Sequence, residues 1–228
     1  MKQPTTLARW SIITTAVLVV LAACAPAATT TTQGTVPAAA STTAATAVSP
    51  SKEAAVEIAN LFVAAYAAND ADSMATYLTS EVPREFGGSL EGLRLEVSFN
   101  QAQGFKHMFD SCMVQETSPS GTTVRCPYDY HGIRSDEMGL GPYTGSWYDL
   151  VVLDGRIVSA ADQIVFLENG FDQQVWAPFA DWVAEAHPDD VAIMYTPGQT
   201  NFRLTEASIA LWEQRSREYV AVVNGSAD

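Results

Sequence analysis

Positive charge is scarce in this chain. Its 228 residues carry 12 lysines and arginines against 26 aspartates and glutamates, a net charge of −14. Nucleic-acid binding needs a basic face, so that class is excluded and no nucleic-acid partner is expected. Histidine and cysteine are rare as well, at three residues each. Neither forms a second cluster with metal-ligand spacing, so no metal or other cofactor is expected. The chain has no Gly-x-Ser-x-Gly elbow, phosphate loop or dinucleotide fingerprint. Long apolar runs are missing too. The uncharged stretch Trp10–Ala22 falls short of the roughly 20 residues of a comfortable membrane span. Apolar residues themselves are plentiful, at 47%, which excludes a wholly disordered chain.

That short run reads as a secretory signal. Lys2 and Arg9 precede it, its dense centre is Ala16-Val17-Leu18-Val19-Val20-Leu21, and small residues follow. It ends in Leu21-Ala22-Ala23-Cys24, which resembles the bacterial lipobox. The resemblance implies cleavage before Cys24 and lipidation of its thiol, and two acyl chains anchor stably where one is marginal. The expected location is the extracytoplasmic face of the cell membrane, with the lipid on Cys24 as the membrane contact. Both charged residues of the signal are basic. The remainder keeps ten basic residues against 26 acidic ones, a net −16 that anionic lipid head groups repel.

Ala25–Ser51 is Ala- and Thr-rich, carries Pro26, Pro37 and Pro50, and has no charge and no aromatic ring. Such a segment buries too little apolar surface to offset ordering entropy. It reads as a tether with a coil reach on the order of 30 Å. The organisation expected is therefore a signal over 1–23, lipidated cysteine and tether over 24–51, and one domain over 52–228.

Within that domain, Ser51 is positioned to cap a helix running to about Ala68, with Ile58, Leu61, Phe62, Ala65 and Tyr66 on one face. Asn69–Asp72 turns the chain into a short helix over Ser73–Leu78. Ser89 to about Gln103 is a third helical stretch. A period of two then predicts strands over Phe105–Glu116, Thr122–His131, Gly145–Leu153 and Arg156–Phe166, with Asp154-Gly155 as a two-residue hairpin turn. Helical spacing returns with Phe171, Val175, Phe179, Trp182 and Val183, where Pro178 is expected to split the helix. A last helix starts at the N-cap Thr205, with Leu204 and Ile209 as its staple.

Helices followed by antiparallel strands make an α+β domain. The segment Ala64–Leu78, an amphipathic helix, an Asn/Asp turn and a second helix ending Tyr77-Leu78, resembles the opening of the nuclear transport factor 2-like (SnoaL-like) superfamily. The resemblance spans about Lys52–Phe166. It implies a cone-shaped, curved antiparallel sheet around the N-terminal helices. The helices from about 168 onward are then a C-terminal extension.

With Cys24 lipidated, Cys112 and Cys126 remain. A hairpin register centred on Pro119 sets them opposite each other and sets Val114 opposite Val124. Outside the cytoplasm this predicts a disulfide.

Catalytic members of the superfamily work inside the cone with a buried Asp, His or Tyr. Asp129 and His131 share a strand face with Thr123, Arg125 and Pro127, whereas Val124, Cys126, Tyr128 and Tyr130 form the better core face. Asp129 and His131 are therefore expected to point away from the cavity. Asp70 and Asp72 read as turn and cap residues, His107 as a partly exposed strand residue, and His187-Pro188-Asp189-Asp190 as a helix start. No catalytic residue is assigned. Tyr66, Met108, Tyr128, Tyr130 and Trp147 are the candidates for lining a ligand cavity, and Trp176, Trp182 and Trp212 for packing the extension. The reading is of a lipid-anchored domain that binds a small apolar ligand or an envelope partner protein. The alternatives are a dehydratase, isomerase or cyclase, and a structural subunit of an envelope complex that dimerises through its sheet.

Overall fold

A serine or threonine hydroxyl starts each of the three long helices at the predicted place. Ser51 accepts from the Ala54 N–H and opens α1 (Lys52–Ala67). Ser89 accepts from the Gly92 N–H (3.0 Å) and opens α3 (Leu90–Ala102). Thr205 accepts from the Ser208 N–H and opens the C-terminal helix, α6 (Glu206–Val223). Each cap is worth about 1 kcal/mol. The short α2 (Ala71–Ala75) begins two residues earlier than expected, because Asp70 is its cap. Asp72 instead pairs with Arg94 at the surface.

The computed structural model describes residues 51–197 and 201–225, all within one compact unit of the chain. The lipobox, Cys24 and nearly all of the tether lie outside the described residues. Among the described residues no helix is long and apolar enough to cross a membrane.

Five antiparallel strands form one sheet. β3 (Gly121–His131) runs beside β4 (Tyr143–Leu153), which pairs with β5 (Arg156–Gln163) at one edge. The other edge of β3 is shared by β1 (Lys106–Phe109) and β2 (Met113–Ser118). The single strand expected over Phe105–Glu116 is thus two strands. At Asp110–Cys112 the chain steps sideways, and the Asp110 N–H returns to the Pro127 carbonyl. Cys112 sits in this joint and is disulfide-bonded to Cys126, while its N–H donates to Asn60 of α1. Val114 stands opposite Val124, in the register the sequence suggests. Asp154 (φ 49°) and Gly155 (φ 75°) make the β4–β5 turn, both in the left-handed region that such a hairpin requires.

The architecture is α+β, with N-terminal helices, a curved antiparallel sheet and a C-terminal helical extension. α1 contacts all five strands. Its buried stripe (Ala55, Ala59, Phe62, Val63, Tyr66) meets Val124, Cys126, Leu150, Val152 and Ile157 on the inner sheet face.

The extension is built into the same core. A π-helical turn, Asp172–Trp176, runs on into α4 (Ala177–Ala186). Pro178 does not split this helix. It falls in the first turn of α4, just where the widened turn already breaks the usual hydrogen-bond ladder. α5 (Val191–Met194) follows the His187–Asp190 segment, where His187 closes α4 and Asp190 binds Arg215 of α6. Trp212 is fully buried, with ring centroids within 6 Å of Phe99, Trp176, Phe179 and Tyr195. Buried Arg134 bonds the Ser216 hydroxyl of α6 and the Ala102 carbonyl that ends α3 (3.0 and 3.1 Å).

Candidate ligand cavity

Where the helices leave the sheet uncovered, a cavity of about 340 Å³ remains, within the size range of small-molecule sites. Its far wall is aromatic and apolar: Phe99 and Phe105, then Phe171, Trp176, Phe202 and Leu204 from the extension. Phe202 stacks on Phe99 at 4.1 Å. Its mouth is the turn Arg84–Phe86 with Gly87 after it, where Arg84, Glu85 and Gly87 are exposed and Phe86 is buried. That turn lies tightly on α3. A Cβ on Gly92 would sit 2.1 Å from the Gly87 carbonyl oxygen, so the approach demands glycine.

The near wall is polar and acidic. The Tyr66 hydroxyl of α1 donates to Glu96 of α3 at 2.8 Å. It accepts in turn from the Asn100 amide (3.3 Å) and from the Tyr148 hydroxyl (3.4 Å). The Tyr128 hydroxyl donates to Asp162 at 2.7 Å. Two carboxylates, each held by a tyrosine, therefore face one cavity. Burial pushes Glu96 up to about 7, with the charges of Asp162 and Glu85 adding and the Tyr66 hydrogen bond opposing. Burial likewise pushes Asp162 up to about 6, against the hydrogen bonds from Tyr128 and Tyr148. Both carboxyls thus exchange protons near neutral pH, as general acids and bases must. Tyr66, Tyr128 and Tyr148 are all pushed upward, chiefly by burial, and stay protonated.

His107 lines the cavity from β1, 9% exposed. Its ring lies 4.4 Å from Tyr66 and 5.2 Å from Tyr128. Among the described residues it has no hydrogen-bond partner. Burial alone lowers its pKa to about 3, so the imidazole is neutral.

Of the five cavity candidates named from sequence, Tyr66 and Tyr128 line the wall. Tyr130 shares the inner face but stacks on Phe105 and donates its hydroxyl to the Val165 carbonyl, behind the wall. Met108 and Trp147 require correction. Met108 pairs with Asp129 and Trp147 with Pro127, so both stand on the outer sheet face. There Trp147 lies under Arg125 (4.6 Å) and donates to Asp149. His107 also requires correction, since it is buried and inward. Asp129 and His131 are on the outer face, where His131 lies against Ser135 and the Leu140 carbonyl. Glu96, Asn100, Tyr148 and Asp162 were not singled out from sequence at all. Among the described residues no group of three or more His, Cys, Asp or Glu is placed to hold a metal ion.

No protein-family model matches the chain, and no curated protein matches it. Solved structures similar to part of it include two of bacterial origin. One is described as a "putative polyketide cyclase" from Xanthomonas campestris pv. campestris, at 17% identity over 51% of this chain and 94% of that one, with a TM-score of 0.38. The other is an uncharacterized cystatin fold protein from Novosphingobium aromaticivorans, at 15% identity over 48% of this chain and 97% of that one, with a TM-score of 0.34.

Proposed function

We propose that this domain binds a small molecule in the cavity between α1, α3 and the sheet. The observation that carries the reading is the division of the wall, aromatic on one side and tyrosine-held carboxylates on the other. Such a site fits a ligand with an apolar body and a polar end, and so is less purely apolar than the sequence suggested. The resemblance of Ala64–Leu78 to the nuclear transport factor 2-like superfamily, whose catalytic members work in this interior, supports the same place. The test is a thermal-shift and native mass spectrometry screen of the full-length protein, repeated with Ile164→Trp to fill the cavity. Ligands that stabilise the wild type should fail on the variant. No ligand at all, or ligands indifferent to the substitution, would refute the reading.

A second reading, a dehydratase-, isomerase- or cyclase-type enzyme, is favoured by Glu96 and Asp162 together. Their pKa values near 7 and 6 suit one to give and the other to take a proton. Turnover of a bound ligand that Glu96→Gln and Asp162→Asn both abolish, with binding retained, is its expected signature. Binding without turnover in the wild type sinks it.

The protein is further proposed to be a lipoprotein that displays the domain on the extracytoplasmic face of the membrane. The Leu21–Cys24 lipobox supports this, and the Cys112–Cys126 disulfide suits an oxidising compartment. Cys24→Ser should move the protein from the detergent phase to the aqueous phase on partitioning. An unchanged distribution would exclude lipid attachment there.

A further inference from the structure

We infer that the ligand of this cavity is a small organic cation, an amine or quaternary ammonium, held by the Glu96 and Asp162 carboxylates among the aromatic rings. The inference rests on the reading of the cavity as a ligand site and adds the class of ligand.

The first observation is an uncompensated charge. Glu96 takes its hydrogen bond from a tyrosine hydroxyl, and so does Asp162. Neither makes an ion pair with any described residue. The cation in the wall, Arg84, is exposed at the mouth, beside the acidic Glu85. A carboxylate out of water without a counter-charge is costly, and it either takes up a proton or recruits a cation. Among the described residues no cation pairs with Glu96 or Asp162, and the cavity leaves room for one.

The second observation is the wall itself. Rings of Tyr66, Phe105, Tyr128, Phe166 and Trp176 border the same space. A cation within about 6 Å of such faces is attracted by the ring quadrupoles, and more strongly where water is excluded.

The third is His107, unpartnered, more than nine-tenths buried and facing the cavity. Because it is neutral it does not repel a cation, and it offers a ring face and a lone pair. A wholly apolar ligand would leave His107 without a partner and both carboxyls without a counter-charge. An anion would meet two acids and, among the described residues, no buried positive charge. The chain's net charge of −14 also draws cations toward the protein.

The affinity depends on pH with a definite sign. The titratable groups facing the carboxyls are Tyr66, His107, Tyr128 and Tyr148, with Arg84 and Glu85 at the mouth. The tyrosines stay neutral and His107 stays uncharged from pH 5 to 8. Only Glu96 and Asp162 ionise within the cavity across that range. Raising the pH from 5 to 8 therefore strengthens cation binding, by about ten- to a hundred-fold where one proton is displaced from Glu96.

The experiment is calorimetric titration of the full-length protein in lipid nanodiscs with three probes of similar shape. They are phenyltrimethylammonium, its uncharged carbon isostere tert-butylbenzene, and benzoate. At pH 8 the cation should bind at least ten-fold more tightly than the isostere, and benzoate not at all. Cation affinity should fall at least ten-fold at pH 5 while that of the isostere stays level. Glu96→Gln, which still accepts from Tyr66, should weaken the cation about ten-fold and spare the isostere. An isostere that binds as well as the cation, a cation that does not bind, or a cation affinity flat in pH overturns this inference and leaves the cavity reading standing. If none of the three binds and the wider screen also finds nothing, the cavity reading itself fails.

Discussion

Glu96→Gln makes a stability measurement that needs no ligand. In the folded protein the Glu96 carboxyl sits at about 7, against an ordinary value of 4.5. Between those two pH values the folded state holds a proton that the unfolded chain has released. Stability therefore falls as pH rises from about 4.5 to about 7, and the loss is complete above that range. One pH unit corresponds to 1.36 kcal/mol, so the full displacement amounts to about 3 kcal/mol. Sharing of charge with Asp162 and water in the cavity make about 2–3 kcal/mol the working figure. Glutamine keeps an oxygen for the Tyr66 hydroxyl and carries no charge at any pH. The variant should match the wild type near pH 4.5 and exceed it by about 2–3 kcal/mol at pH 8, or about 4–12 °C in Tm for a domain of this size. Urea unfolding followed by tryptophan fluorescence at half-unit pH steps reads the difference directly. A difference that stays constant with pH, or that favours the variant only in acid, refutes the account of Glu96 as a half-buried acid without a counter-charge.

Three further outcomes follow from the packing. Replacing Cys112 and Cys126 together by alanine opens a loop whose ends are 14 residues apart. It should cost about 3 kcal/mol, and dithiothreitol should lower the Tm of the wild type but not of the variant. Trp212→Ala empties a fully buried site between α3, α4 and α6 and should cost about 3–5 kcal/mol. Limited proteolysis should then cut within residues 171–225 before it cuts the sheet. Gly92→Ala drives a Cβ into the Gly87 carbonyl at 2.1 Å and should cost on the order of 2 kcal/mol. Gly88→Ala, where a Cβ meets nothing within 4 Å, should lose only the roughly 1 kcal/mol of its left-handed backbone; equal losses for the two would contradict the clash.

Local signals were legible in the sequence where one residue decides the outcome. Ser51 and Thr205 cap helices because a hydroxyl before an amphipathic run satisfies a free N–H whatever surrounds it. The alternation Val124, Cys126, Tyr128, Tyr130 fixes the inner face of β3, because that strand is unbroken. The acidic half of the cavity was hidden by two breaks in parity. At Asp110–Cys112 the pairing with β3 slips by one residue between β1 and β2. Alternation counted back from Cys112 and Val114 therefore turns Met108 inward and His107 outward, the reverse of the structure. In β5 an extra residue, Val158, bulges between the partners of Val151 and Val152. Counted from Ile157 without it, Asp162 would face out; with the bulge, Asp162 stands opposite Tyr148 on the inner face. Glu96 escaped for a different reason. It follows Leu93 on α3 at the margin of the buried stripe, where a carboxylate ordinarily reaches water. Only the Arg84–Phe86 turn folded over that margin makes it a wall residue.

The cavity wall draws on residues from Tyr66 to Leu204, and its aromatic side comes largely from the last third of the chain. During synthesis Tyr66, Glu96, His107, Tyr128 and Tyr148 are therefore laid down well before Phe202 and Leu204, while Asp162 comes only shortly before Trp176. A chain that stops just past the sheet lacks Phe171, Trp176, Phe202 and Leu204, so the aromatic side of the wall keeps only Phe99, Phe105 and Phe166. The site is thus completed by the extension and not by the sheet, so a nonsense mutation just past the sheet would leave Tyr66, Glu96, Tyr128 and Asp162 without the rings that face them.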